Sequence, residues 1–511
     1  MSTNPPAVDD GARPTGPPPA LASGAVSATV GKGLRPDSVG LFTMISLGLA
    51  SVAPAYSLTV TLGLVVAIVG VQAPAALLVG FVPILCTSFA YREQNRVMPD
   101  CGTNFVWITR SFGPWAGWLA GNWVPQIATA IAMTALGSIG ATNLLSLVGL
   151  DAWAGQTLPT TLVAVGLIAL VTAVSYRGVQ LSARVQNAML VVQLVALLGF
   201  AAIALGRGHA ATPSLSWLDP LAIHSAKGFT EAVLLCLFIY WGWDAALAVN
   251  EEAKDRSRTP GRAAVLSTLI LLGTYVFTAV AAISFAGAGT TGAGLADPSN
   301  SADVLTALAG PVLGSAAAKL VTFAICISTV SALLTCVVST ARPNVSVSAH
   351  GAQPAVFGRI HPRYQTPTFA TVFSGASASV LLVVLTFASS RFLGDAILST
   401  SLLIAFYYGT TALSCTWHFR HELRNSVRDL LVKGVLPAAG GIMMLAAFGY
   451  SAYQTVAPDY GSTSIDGVGG VFLLGIGSIV LGLAVIAVLR LRYPDFFRHG
   501  RSTITDFFVE D

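Results

Sequence analysis

Charge is scarce in this 511-residue sequence. Asp, Glu, Lys and Arg together make up 10% of it, against 54% hydrophobic residues. A soluble domain carries about 25% charged residues, so a chain folded wholly in water is excluded. Catalytic constellations are missing as well. No HExxH, no GxSxG and no set of metal ligands at regular spacing occurs. The stretch "VGKG" at 30–33 is not a phosphate loop: position 26 is Val rather than Gly, and Gly33 stands where Ser or Thr is required. No enzyme activity, metal or cofactor is expected. The six cysteines (Cys86, Cys101, Cys236, Cys326, Cys336 and Cys415) form no CxxC pair, and most lie in apolar runs, which predicts reduced packing residues. The net charge of +4 comes from basic residues dispersed over short segments, so no nucleic-acid partner is expected.

Long apolar runs are what is there. A membrane crossing needs about 20 apolar residues, and twelve candidates occur: 38–69, 73–91, 113–140, 158–176, 182–205, 228–250, 263–286, 314–341, 367–388, 393–415, 434–454 and 470–491. Lys and Arg set the orientation. With the N-terminus in the cytoplasm, 23 of the 27 fall in cytoplasmic segments, and Arg207, Lys227 and Arg391 fall outside. That asymmetry predicts both termini inside a plasma or inner membrane, with lipid as the surrounding partner. Residues 1–36 are rich in Pro, Ala and Gly and read as a disordered cytoplasmic tail rather than a signal peptide. Residues 37–491 form the membrane domain, and 492–511 a second cytoplasmic tail.

Two spans are interrupted. The first contains "VAPAYS" (52–57), with Pro54 at mid-run, where its ring and missing N–H break a helix. The sixth contains "FIYWGWDAAL" (238–247), with Gly242 and Asp244 at mid-run. Spans one to five (38–205) and six to ten (228–415) form two units of odd span number and opposite orientation, so each unit opens with a broken helix. Paired interruptions of this kind mark a binding site near the midplane. A half-helix N-terminus offers free N–H groups to a carboxylate, and a half-helix C-terminus offers carbonyls to an ammonium group or a cation. Asp244 is the one mid-span carboxylate. It has three open roles: binding a substrate amine, relaying a proton, or capping the second half-helix. The aromatics Tyr56, Phe238, Tyr240, Trp241, Trp243, Tyr407 and Tyr408 are candidates to wall the pocket.

Four stretches resemble a known family, the amino-acid permeases of the amino acid–polyamine–organocation superfamily, over about 36–490. They are "YREQNRVMPDCGTNFVWITRSFGPWAGWLAGNW" (91–123), "RGVQLSARVQNAMLVVQLVALL" (177–198), "YWGWDAALAVNEEAKDRSRTPGRA" (240–263) and "GRIHPRYQTPTFA" (358–370). The resemblance implies an all-α membrane protein of LeuT-type fold. That fold has two inverted five-helix repeats with discontinuous first and sixth spans, followed by two extra helices (434–491). It further implies secondary transport of an amino acid by alternating access, driven by a proton or sodium gradient or by exchange. The substrate carboxylate would bind at Val52, Ala53, Pro54, Ala55, Tyr56 and Ser57. Its amine would bind at Phe238, Ile239, Tyr240 and Trp241, with Phe238 closing over it.

The chain departs from the family pattern twice. The usual glycine-rich break reads "VAPAYS" here. The fifth-span Lys of many proton-coupled members is matched by Gln193, which does not titrate. Ser328 and Thr329 are the alternative coupling-ion candidates, as parts of a sodium site with first-span carbonyls. A polyamine or other small-amine carrier is the alternative within the same fold. A channel and a transport-inactive nutrient sensor are the alternatives of other classes. Oligomeric state stays open.

Overall fold

The computed structural model describes residues 32–505 except 208–209, 302 and 389. Most of the expected 1–36 tail, and the end of the expected 492–511 tail, therefore lie outside the described residues. Among the described residues, regular structure is helical apart from one hairpin that pairs Ser464–Ile465 with Val468–Gly469. Eleven helical segments are long and apolar enough to cross a membrane. The first, Leu41–Val97, has 57 residues, more than twice what one crossing needs. A short 3₁₀ turn, Gly70–Gln72, divides it, with Gly70 at φ 61°. Eleven segments stand where twelve spans were expected because no polar loop separates the first two.

The other boundaries follow the hydropathy, with local extensions. The third crossing, Pro114–Leu147, passes through a π-helical turn at Gly117–Trp123. The eighth span is a 35-residue helix, Ser315–Ala349. Helices also form outside the expected spans, among them Asn104–Phe112, Val304–Leu313 and Pro494–Thr505. Val304–Leu313 is too short to cross, begins on an Asp303 cap, and buries Val304, Leu305, Leu308 and Val312.

Burial separates inner helices from peripheral ones. In Ala317–Ala349 78% of the most apolar window is buried, whereas the figure is 22% for both Thr157–Tyr176 and Gly470–Arg492. The exposed sides of the peripheral helices carry Leu162, Val195, Val380 and Leu491, apolar side chains suited to lipid contact.

Both interruptions are present. Leu41–Val52 ends at Ala53, which is left-handed at φ 52°, and Pro54 opens the helix Pro54–Val69. Pro is well placed there, because a first-turn N–H has no helical partner to lose. In the sixth span, Ala226–Ile239 ends before Gly242 at φ 114°, and a 3₁₀ half-helix, Trp243–Glu252, follows with a kink at Val249. The two breaks touch: a β-carbon on Gly242 would lie 3.1 Å from the carbonyl carbon and oxygen of Ser51, two residues before Ala53. Leu41–Val52 also packs on Thr259–Ala286, Val179–Arg207, Ser315–Ala349 and Trp243–Glu252, so protein surrounds the break.

Both described ends of the chain meet one face. Lys32 reaches Asp100. The C-terminal helix Pro494–Thr505 stacks Phe496 on Phe105, and Arg501 bonds the Ser111 carbonyl. This side is the terminal face below.

Gly242→Ala combines a left-handed backbone with a 3.1 Å backbone contact, and is expected to lower the detergent unfolding temperature by several degrees or prevent folding. Gly273→Ala, with nothing within 4 Å of its β-carbon, is the matched control and is expected to be neutral. Equal effects of the two would show that the Gly242 contact is not a constraint.

Candidate functional site

A small cavity of about 40 Å³ lies at the first break. Its lining includes Val52, Ala53, Tyr56 and Ser57 from the first span and Phe238 and Trp241 from the sixth. Six of the expected residues therefore meet in one place. Five do not line it, Asp244 among them. Ala55 faces a separate small cavity beside Leu197 and Phe200. Pro54 and Ile239 are buried in packing. Tyr240 points to the second span, where its hydroxyl donates to the Leu77 carbonyl at 3.2 Å and its ring meets Phe81 and Tyr275.

The backbone groups freed by the breaks are partly engaged. Ser57 Oγ donates to the Val52 carbonyl at 2.6 Å, and Tyr275 OH donates to the Ile239 carbonyl at 3.0 Å. Ser328 Oγ accepts from the Tyr56 N–H at 3.5 Å, which puts Ser328 at the break. Thr329 turns away: its hydroxyl donates to Cys326 of its own helix and packs on Gly140 of the third span. The two candidate sodium ligands thus diverge. Gln193 is fully buried, and among the described residues neither its amide oxygen nor its nitrogen has a hydrogen-bond partner.

Trp241 also lines a second, larger cavity, which runs from Asp244 past Ala245 and Ala248 to Thr103, Asn104 and Pro343 near the terminal face. This vestibule and the break cavity share Ser51, Ala132, Leu136 and Trp241. Tyr407 accepts from the Trp241 indole N–H and so fixes the ring between them. Asp244 lies in the first turn of the half-helix, where Gly242 has no side chain to cap the start, and its carboxylate also meets its own backbone N–H. Its carboxylate accepts from Tyr408 OH at 2.8 Å and from Tyr407 OH at 3.4 Å. The tyrosine pair of the tenth span therefore holds the buried charge.

The third span's share of both cavities was not foreseen. Gln126 and Thr129 line the vestibule, and Gln126 donates to the Thr340 carbonyl at 3.1 Å. Two polar residues three apart in the apolar run 124–136 were the available signal.

An ion-pair cluster stands at the terminal end of the vestibule. Lys32 Nζ lies 2.6 Å from Asp100 Oδ2 and 2.5 Å from Glu251 Oε1. Arg342 clasps Glu252 with contacts of 2.5 and 3.2 Å, and His350 Nε2 is 3.3 Å from Asp100 Oδ2. Sequence spacing concealed this group, because the fold brings Asp100, Cys101 and Glu251 together from 150 residues apart. Burial works against the Lys32 charge, but Asp100, Cys101 and Glu251 outweigh it and hold the ammonium well above its ordinary pKa. Burial likewise opposes the Asp100 charge, but Lys32 and His350 hold that carboxyl well below the usual range. Asp100's contribution to stability is thus lost only on strong acidification, and Lys32's only at strongly alkaline pH.

Comparison with known sequences identifies the family. A profile described as amino acid permease matches residues 39–466. The chain belongs to the amino acid permease family. It is a multi-pass membrane protein of the amino acid–polyamine–organocation superfamily. An uncharacterized transporter of Mycobacterium tuberculosis is 28% identical over 351 residues, 67% of this chain and 71% of its own length. The low-affinity putrescine importer PlaP of Escherichia coli is 24% identical over 412 residues, 79% of this chain and 86% of its own. The branched-chain amino acid permease BcaP of Lactococcus lactis is 27% identical over 216 residues, 38% and 44% of the two chains. The family and these relatives are transporters.

Tyr408→Phe removes the shorter of two hydroxyl bonds to the buried Asp244 carboxylate. The expected loss of stability is about 1.5–3 kcal/mol, seen as a lower unfolding temperature in detergent. Tyr407→Phe, with the 3.4 Å contact, is expected to cost less than half of that at Asp244. The reverse ranking would assign the charge to Tyr407 instead.

Proposed function

We propose that this permease is a secondary active transporter that carries an amino acid across the membrane by alternating access, driven by an ion gradient or by exchange. The observation that carries the reading is the meeting of two interrupted helices at one cavity, with Ser51 against Gly242 and Val52, Ala53, Phe238 and Trp241 around the space. The start of Pro54–Val69 supplies the positive end of a half-helix dipole for a carboxylate. The end of Ala226–Ile239 supplies the negative end for an amine. The reading includes twelve crossings, with Leu41–Val97 counted as two, arranged as two inverted repeats (38–205 and 228–415) plus two further helices, and both termini cytoplasmic. Gln193 offers no titrating group for proton coupling, so coupling falls to a sodium ion held at the first break with Ser328, to a proton bound elsewhere, or to exchange.

One observation favours a second reading. Asp244 is a carboxylate in the wall of the vestibule, and Trp241 is one of the four residues that the vestibule shares with the break cavity. A substrate with a second positive end, either a cationic amino acid or a diamine, would span the two cavities around that ring. The relatives do not choose for this chain: one is named for putrescine and another for branched-chain amino acids.

Purified protein in liposomes tests both readings. Saturable uptake with counterflow of at least one amino acid or small amine is expected, and non-saturable flux without counterflow would end the carrier reading. In the same vesicles, Asp244→Asn is expected to weaken a cationic substrate about a hundredfold or more, because breaking a buried charge pair costs about 3–5 kcal/mol. A neutral amino acid is expected to lose less than about tenfold. Equal losses for the two substrates would remove Asp244 from substrate recognition.

Orientation is tested separately. Cysteines placed at the exposed Ser299 and Asn425 are expected to label from outside and from inside the cell respectively. The opposite pattern would invert the topology.

A further inference from the structure

We propose that Asp100, Glu251 and the Cys101 sulfur form a binding subsite for a primary ammonium group at the terminal mouth of the vestibule, and that Lys32 fills this subsite as a built-in mimic of an amine substrate. The inference rests on the transport reading above, with the terminal face cytoplasmic.

Three observations carry it. The site already holds a primary ammonium: Lys32 Nζ lies 2.6 Å from Asp100 Oδ2, 2.5 Å from Glu251 Oε1 and 3.7 Å from Cys101 Sγ.

The carboxylates are also positioned by groups other than Lys32. Asp100 Oδ1 accepts from Ser346 Oγ at 2.5 Å and from the Gly102 N–H at 2.7 Å, and His350 Nε2 stands 3.3 Å from Oδ2. Glu251 Oε1 accepts from the Cys101 N–H at 2.9 Å. The pocket therefore keeps its shape when the lysine leaves. The neighbouring Arg342–Glu252 pair differs: Glu252 takes its guanidinium through both oxygens, and its carbonyl accepts from the Ser38 and Val39 N–H groups, so this pair staples the terminal segment in place.

The vestibule leads to the subsite. Ala245 and Ala248 line it, and Glu251 lies three residues further along the same segment, past the kink at Val249. Thr103 and Asn104 line it as well, with Gly102 alone between Cys101 and Thr103. An amine that leaves Asp244 through this cavity arrives beside the segments that carry both carboxylates, where Lys32 competes for them. A carrier built in this way releases amine-bearing substrates through competition at its own mouth.

Chemical rescue tests the subsite without requiring transport. Lys32→Ala in detergent is expected to unfold several degrees below the unaltered chain. Addition of 1,4-diaminobutane or n-butylamine is expected to raise its midpoint by about 2 °C or more at saturation, while the unaltered chain shifts little. 1,4-Butanediol, tetramethylammonium and sodium chloride at matched concentration are expected to have no such effect, and adding Glu251→Gln to Lys32→Ala is expected to abolish the response. Equal amine shifts in the variant and the unaltered chain, or equal shifts by sodium chloride, would overturn the proposal. Lys32→Gln is tested in parallel. If neither variant folds, trypsin cleavage after Lys32 of the unaltered chain decides: quickening by the diamine but not by the diol is expected, and no quickening would overturn the proposal. Liposome uptake measured alongside reports on the carrier reading by itself, so either idea can fail alone.

Discussion

Hydrocarbon offers a peptide group nothing to bond, and the architecture of this permease answers that constraint. Two helices are cut at mid-membrane, and each cut frees N–H and carbonyl groups that no lipid can satisfy. The partners come from within the protein. Ser57 bonds the Val52 carbonyl, Ser328 accepts from the Tyr56 N–H, Tyr275 bonds the Ile239 carbonyl, and Tyr408 OH lies 3.4 Å from the Gly242 N–H. Each is a hydroxyl, a group that can accept or donate with little rearrangement. The helices that bring these hydroxyls must surround the breaks, which explains why the eighth span is the most buried of the crossings.

The same constraint governs the charges. Asp244 is tolerated because two phenols face it. Asp100 and Glu251 are tolerated because Lys32 faces both, and Glu252 because Arg342 pairs with it. The lipid-facing sides of the peripheral helices carry Leu, Val and Ile instead.

Much of this was legible in the sequence, for physical reasons. Hydrophobic length marks a crossing wherever a polar loop ends it. The first two crossings join through Gly70–Gln72 without such a loop and form one continuous helical segment. Pro54 and Gly242 announced the breaks because these residue types have few alternatives in a helix. Side-chain direction was not legible. Tyr240 and Trp241 are neighbours in the sequence, yet one anchors to Leu77 and the other divides two cavities. Ser328 and Thr329 diverge in the same way. The Lys32 cluster was hidden because its members come from residues 32, 100 and 251, and the tail that carries Lys32 reads as solvated from its composition.

The bond between Tyr56 and Ser328 spans 272 residues, and that distance is also a time. A ribosome adds about 5–20 residues each second, so roughly 14–54 s separate the making of the donor from that of its acceptor. During this interval the first break is already in the membrane without its eighth-span partner. Ser57, five residues from Val52, is the one hydroxyl of the four that arrives with the break it serves. Biogenesis of this chain thus passes through a stage in which a single local bond shields an open helix end, and the membrane-insertion machinery has to hold that stage until the eighth span is made.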